Sequence, residues 1–137
     1  MPTTILCGVD DSSHASKAAS VAAQLAAATG SKLILIVVDQ VTLEGRSAPI
    51  HKFGEEKVQQ VLAGAKAIAA ATGYADPHLV SVASQDVATA ILNYADEQRV
   101  DHIVVGTGEK SAATRFVIGS VSHDLVVRAH CSVTVAR

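Results

Sequence analysis

Apolar residues cluster in five short runs, at residues 3–8, 32–38, 79–83, 102–105 and 132–136. The runs are mostly continuous Val, Ile and Leu, the pattern of strands covered on both faces. Between them, apolar positions recur at spacings of three and four, as one face of a helix requires. Ala15, Ala18, Ala19, Ala22, Leu25 and Ala26 form the first such stripe, and Gly30 closes it as a C-cap. Val58, Val61, Leu62, Ala65, Ile68 and Ala69 form the second, stopped by Gly73. Val87, Ala90, Ile91 and Tyr94 mark a third, and Val121, Leu125 and Ala129 a shorter fourth. The order β-α-β-α-β-α-β-α-β, with every crossover long enough for a helix, predicts an α/β fold: a doubly wound parallel five-stranded sheet with helices on both faces. Of the two common strand orders the flavodoxin-like one is expected, because the first unit begins at residue 3 and five strands complete it. Residues 39–52 and 106–118 fit neither period; the first is read as a mobile loop and the second as an irregular stretch after the fourth strand.

Composition narrows the function classes. A chain of 137 residues suits one domain, 1–137, and an apolar fraction of 49% supplies a core without disulfide or metal staples. A formal net charge of −2 with 18% charged residues provides no basic footprint for nucleic acid and no polybasic segment for an anionic membrane. The longest apolar run, residues 33–38, is far shorter than the roughly 20 residues that span a bilayer. The opening Met-Pro-Thr-Thr lacks a basic n-region, so no signal peptide is expected. Cys7 and Cys131 form no disulfide framework, and the expected setting is the reducing cytoplasm. Cys7 reads as a small buried hydrophobe, and nothing near Cys131 marks it as activated apart from His130 and Arg128. The histidines, at 14, 51, 78, 102, 123 and 130, show no ligand-like pairing, so no metal site is expected.

In an open α/β sheet, ligands bind beyond the carboxyl ends of the strands at the switch point. Taking the first and fourth strands as its flanks makes Asp10 and Gly106 near neighbours. Asp10-Asp11 with Thr107 could serve a phospho-receiver pocket. That chemistry also needs an acceptor Asp after the third strand, where Ala83-Ser84 stand, and a Lys after the fifth, which runs into Arg137. The second candidate is a phosphate cradle. Gly106-Thr107-Gly108 leaves the fourth strand and Gly119-Ser120-Val121-Ser122 opens the fourth helix, where glycines, unpaired N–H groups and the helix dipole favour an anion. Ser120 and Ser122 would add hydroxyl donors, although Gly-Ser before a helix also reads as an ordinary N-cap. Lys110 and Arg115 lie in the loop expected to cover the phosphates. No Walker-A pattern, no G-x-G-x-x-G after the first strand and no G-x-S-x-G nucleophile elbow is present.

Over residues 3–137 the chain resembles the universal stress protein family. The resemblance rests on Ile5-Leu6-Cys7-Gly8-Val9-Asp10-Asp11-Ser12, Leu35-Ile36-Val37-Val38-Asp39 and Asp101-His102-Ile103-Val104-Val105-Gly106-Thr107. It is strongest in Ile118-Gly119-Ser120-Val121-Ser122 followed by Cys131-Ser132-Val133-Thr134-Val135. The family's nucleotide-binding members carry Gly-x2-Gly-x9-Gly-Ser/Thr after the fourth strand. Here the first glycine falls on Gly106 and the third on Gly119, with Ser120 after it; the middle position holds Glu109, and Gly108 stands one place early.

The resemblance implies an adenine nucleotide, ATP or AMP with or without magnesium, held by Gly8, Val9, Asp10, Val37, Val105, Gly106, Thr107, Gly108, Gly119, Ser120, Val121 and Ser122. Asp10 is expected on the adenine or ribose side, Val37 and Val105 along the adenine pocket, and Ser120 and Val121 at the phosphates. The resemblance also implies a homodimer through the last strand, a short apolar edge of the kind that invites pairing. The implied role is stress-response signalling rather than fast catalysis, with slow ATP hydrolysis or self-phosphorylation left open and no nucleic-acid or membrane partner. A homodimeric interaction module of the same fold that binds no nucleotide is the alternative, favoured by Glu109.

Overall fold

Each apolar run becomes a strand and each helical stripe a helix. The computed structural model describes residues 3–43, 45, 48–107 and 119–137. In chain order the elements are β1 (Thr4–Val9), α1 (Ser13–Thr29), β2 (Lys32–Thr42), β3 (Ile50–His51), α2 (Gly54–Ala71), β4 (His78–Ser84), α3 (Val87–Glu97), β5 (His102–Gly106), α4 (Ser120–Arg128) and β6 (Ser132–Ala136). The sheet is mixed but mostly parallel. β1, β2, β4, β5 and β6 run parallel, and the two-residue β3 pairs antiparallel with β2 through Val41↔His51 and Thr42↔Ile50.

The parallel strands lie side by side as β4-β2-β1-β5-β6. This corrects the expected flavodoxin-like order, which would insert β4 between β1 and β5. Instead β5 lies directly against β1, with Leu6 opposite Ile103, and β4 forms the edge beyond β2. The reason is polarity. β1 and β5 are apolar and buried through their middles, whereas β4 leaves His78 and Ser81 exposed. A central position would bury those polar groups away from water, at a cost that an edge position avoids.

Side-chain alternation along β2 divides the core into two layers. Leu33, Leu35 and Val37 pack under α1 and α2, and Ile34, Ile36 and Val38 pack under α3 and α4. α1 meets the sheet through buried alanines, Ala15, Ala18, Ala19, Ala22, Ala23 and Ala26, whose small side chains let the helix lie close. It ends at Gly30, whose left-handed φ of 66° lets its N–H reach the Ala26 carbonyl.

Residues 39–42 and 50–52 form a paired ribbon where a loop was expected. β2 continues to Thr42, β3 pairs back on it, and the Lys52 N–H donates to the Gln40 carbonyl at 2.9 Å. Such a ribbon is held by backbone hydrogen bonds while Ile50 and His51 stay exposed, so it leaves no apolar period in the sequence. Among the described residues, no helix is long and apolar enough to cross a membrane.

Candidate functional site

β1 and β5 are neighbours whose following helices leave to opposite faces, so a crevice opens above their carboxyl ends. It forms a cleft of about 330 Å³. One wall is the β1–α1 turn, Gly8, Val9, Asp10 and Ser12, and the opposite wall is Gly106 and Thr107 with Gly119 to Ser122 at the start of α4. Ile36, Val38, Val87, Ile91 and Val105 make an apolar floor, and Gln40, Lys52 and Phe53 close the side above β2.

Two glycines hold the cleft open. A Cβ on Gly8 would lie 3.1 Å from Val105 Cγ1 and 3.2 Å from Ile91 Cδ1, at the floor. A Cβ on Gly106 would lie 2.7 Å from the His14 carbonyl oxygen, so the close approach of α1 to β5 depends on its absence. Thr107 Oγ1 lies 3.1 Å from His14 Nδ1, tying the same two elements together. Asp10 Oδ1 accepts the Ser12 N–H at 2.8 Å, which fixes the turn that leads into α1.

The start of α4 is an open cap. Gly119 occupies the N-cap position in extended backbone, no side chain among the described residues caps the helix, and its first turn carries no acid. The first amides of a helix have no intrahelical acceptor, and Ser120, Val121 and Ser122 all line the cleft. Gly119 thus stands at the N-cap, as the ordinary reading of Gly-Ser before a helix has it, and brings no capping side chain of its own. Ser122 departs from expectation: its hydroxyl donates to the Gly106 carbonyl at 2.7 Å and is buried, so it braces the wall and is not a hydroxyl donor to a ligand.

Of the expected residues, Gly8, Val9, Asp10, Val105, Gly106, Thr107, Gly119, Ser120, Val121 and Ser122 meet around this one cleft. Val37 does not. It is fully buried on the α1–α2 face, and its neighbours Ile36 and Val38 reach the cleft instead. The motif placed the strand correctly but the face wrongly, by one residue of a two-residue period. Gly108, Glu109, Lys110 and Arg115 lie outside the described residues.

Sequence reasoning missed Ser12, Ala15, Ile36, Val38, Gln40, Lys52, Phe53, Val87 and Ile91. β2 is apolar on both faces from Leu33 to Val38, so no local signal separates Ile36 and Val38 from Val37. Lys52 and Phe53 arrive only because β3 folds back, which no local signal announces.

Asp39 organises that side. Buried at the end of the β2 core, it accepts the Phe53 N–H at 2.8 Å and the Gly54 N–H at 3.2 Å, and lies 2.8 Å from His51 Nδ1. Burial alone would raise its pKa, but these hydrogen bonds outweigh it and hold the carboxyl below its ordinary value. Asp86 sits at the N-cap of α3 and accepts the Thr89 N–H at 2.9 Å. Burial pushes the Cys7 thiol up to about 12, which leaves it neutral and unreactive. No group of three or more His, Cys, Asp or Glu converges on a metal-sized site among the described residues.

The sequence model of the universal stress protein family matches residues 1–137. The chain belongs to the universal stress protein family. A universal stress protein of Thermus aquaticus is 31% identical over 141 residues, covering 98% of both chains. A putative universal stress protein of Staphylococcus haemolyticus is 29% identical over 137 residues, covering 97% of this chain and 83% of the relative. Among solved structures, a universal stress protein in complex with cAMP superposes with a TM-score of 0.78 at 27% identity, over 99% of this chain and 97% of that one. A universal stress protein from Archaeoglobus fulgidus has the same fold, with a TM-score of 0.79 at 21% identity over the whole of both chains.

Proposed function

We propose that the cleft binds an adenine nucleotide, ATP or AMP, and that the protein serves stress-response signalling through that binding rather than through fast catalysis. The observation that carries this reading is the open start of α4 facing an apolar floor across one cleft. Unpaired amides and the helix dipole suit phosphate oxygens. The floor of Ile36, Val38, Val87, Ile91 and Val105 suits the flat, largely apolar face of a base. Asp10, at the rim between them, suits the ribose hydroxyls or the adenine amino group, because an ionised carboxylate only accepts hydrogen bonds. The relative solved with cAMP supports an adenine nucleotide as the ligand class. Magnesium would accompany the triphosphate, where it would offset repulsion from Glu109.

The active unit is proposed as a homodimer joined through β6, which among the described residues pairs with β5 alone. A second reading, a homodimeric interaction module that binds no nucleotide, is favoured by Glu109 at the middle glycine position of the motif. Isothermal titration of the purified protein with AMP, ATP and cAMP separates the two. Saturable binding of at least one, at micromolar to low millimolar concentration, supports the nucleotide reading. No heat with any of the three, and no ligand-induced rise in melting temperature, supports the interaction module.

A further inference from the structure

The apolar floor of the cleft ends, along β2, in a polar group. Side chains two apart on a strand share a face, so Gln40 continues the face on which Ile36 and Val38 form the floor, and it lines the cleft with them. Its backbone is held from both sides. Gln40 pairs with Ser84 of β4, and its carbonyl accepts the Lys52 N–H at 2.9 Å.

The side-chain amide is oriented as well. Gln40 Nε2 donates to the Gln85 backbone carbonyl at 3.2 Å. A carbonyl oxygen only accepts, so turning the amide over would set two acceptors against each other. Nε2 carries a second hydrogen, and Oε1 has no donor among the described residues. What remains for a ligand is one N–H and one carbonyl oxygen side by side, in a fixed order.

That edge is complementary to adenine, whose exocyclic amino group donates beside a ring nitrogen that accepts; a glutamine amide pairs with adenine in this way in nucleic acids. Hypoxanthine carries an oxo group in place of the amino group, so Oε1 would face an acceptor, and the Gln85 carbonyl opposes the turn that would relieve it.

We propose that Gln40, held in one sense by the Gln85 carbonyl, is the residue by which this cleft selects an amino-purine over an oxo-purine. The proposal rests on the nucleotide reading, which seats the base on this floor, and adds base specificity to it. The test is calorimetric titration with AMP and IMP, which differ in carrying an amino or an oxo group on the purine.

The wild-type protein should bind AMP about tenfold more tightly than IMP, the scale of one hydrogen bond gained against one acceptor left facing another. Gln40→Met, similar in length and without a polar edge, should bring the two affinities within about twofold of each other, chiefly by weakening AMP. Gln98→Met, the same change at an exposed position outside the cleft, should keep the wild-type ratio. The Gln40 side chain is exposed, so its replacement leaves the core intact.

A wild-type protein that binds AMP and IMP equally, a ratio unchanged in Gln40→Met, or a ratio lost in Gln98→Met would each overturn the role of Gln40. Binding of neither nucleotide fails the nucleotide reading itself, whereas equal binding of both leaves that reading standing and fails this inference alone.

Discussion

At Gly106 a missing methyl group decides the geometry of the cleft. The Cβ of an alanine there would meet the His14 carbonyl at 2.7 Å, and that oxygen is backbone of α1, which cannot rotate away. Gly106→Ala should therefore cost about 1–3 kcal/mol through overpacking, read as a lower denaturant midpoint with an unchanged slope. Gly119 and Glu109 bear on the ligand instead. Gly119→Val places a branched side chain beside the first amides of α4 and should abolish AMP binding. Glu109→Gly should strengthen ATP binding, most clearly without magnesium, because a carboxylate beside a triphosphate is repelled by about 1 kcal/mol even in water. Titration of Gly119→Val and Glu109→Gly side by side checks both directions.

At the scale of elements, the ribbon from β2 to α2 depends on one acid. Asp39 bonds the amides of Phe53 and Gly54 at the start of α2, where the helix dipole also favours negative charge. Its folded-state pKa is lowered, so its contribution to stability is complete above the unfolded value of about 3.9 and is lost as pH falls through the folded value. Asp39→Asn should cost about 1.5–3 kcal/mol at pH 7. The gap between variant and wild type should close as urea unfolding is repeated at progressively lower pH, below about 4. A gap that stays constant from pH 7 to pH 3 would show that the carboxylate charge is not what holds the ribbon.

For the whole molecule, the two edges of the sheet differ. β4 closes one edge with exposed His78 and Ser81. β6 closes the other with Val133 and Val135 half-buried, and α4, packed beside it, exposes Val126 at 50% and Val127 at 67%. A Pro-free apolar strand with exposed valines alongside is the edge that invites pairing. Val135→Lys should turn a dimer into a monomer in sedimentation equilibrium, and Val127→Lys, at an exposed site, should weaken the dimer without lowering monomer stability. Should neither substitution change the solution mass of a wild-type dimer, β6 is not the interface.

The sequence by itself determined the number and type of the main elements, because both signals are local. A strand in a covered sheet must be apolar over several residues, and a helix must present a stripe every three or four. Residues 4–9 and 13–29 obey these rules without reference to the rest of the chain. The cleft was legible to the same extent: glycines and hydroxyls at the ends of β1 and β5 and at the start of α4 can be read in place, and they do converge. Only the tertiary structure decided what depends on partners far along the chain. β4 lies outside β2 because burial between β1 and β5 would strand its polar side chains, an energy that exists only once all the strands are assembled. Val37 faces the core rather than the cleft because one residue of register exchanges the two faces of a strand. Lys52 and Phe53 reach the cleft because Asp39 draws their backbone back across β2, and an acid at the end of an apolar run carries no sign of which amides it will bind.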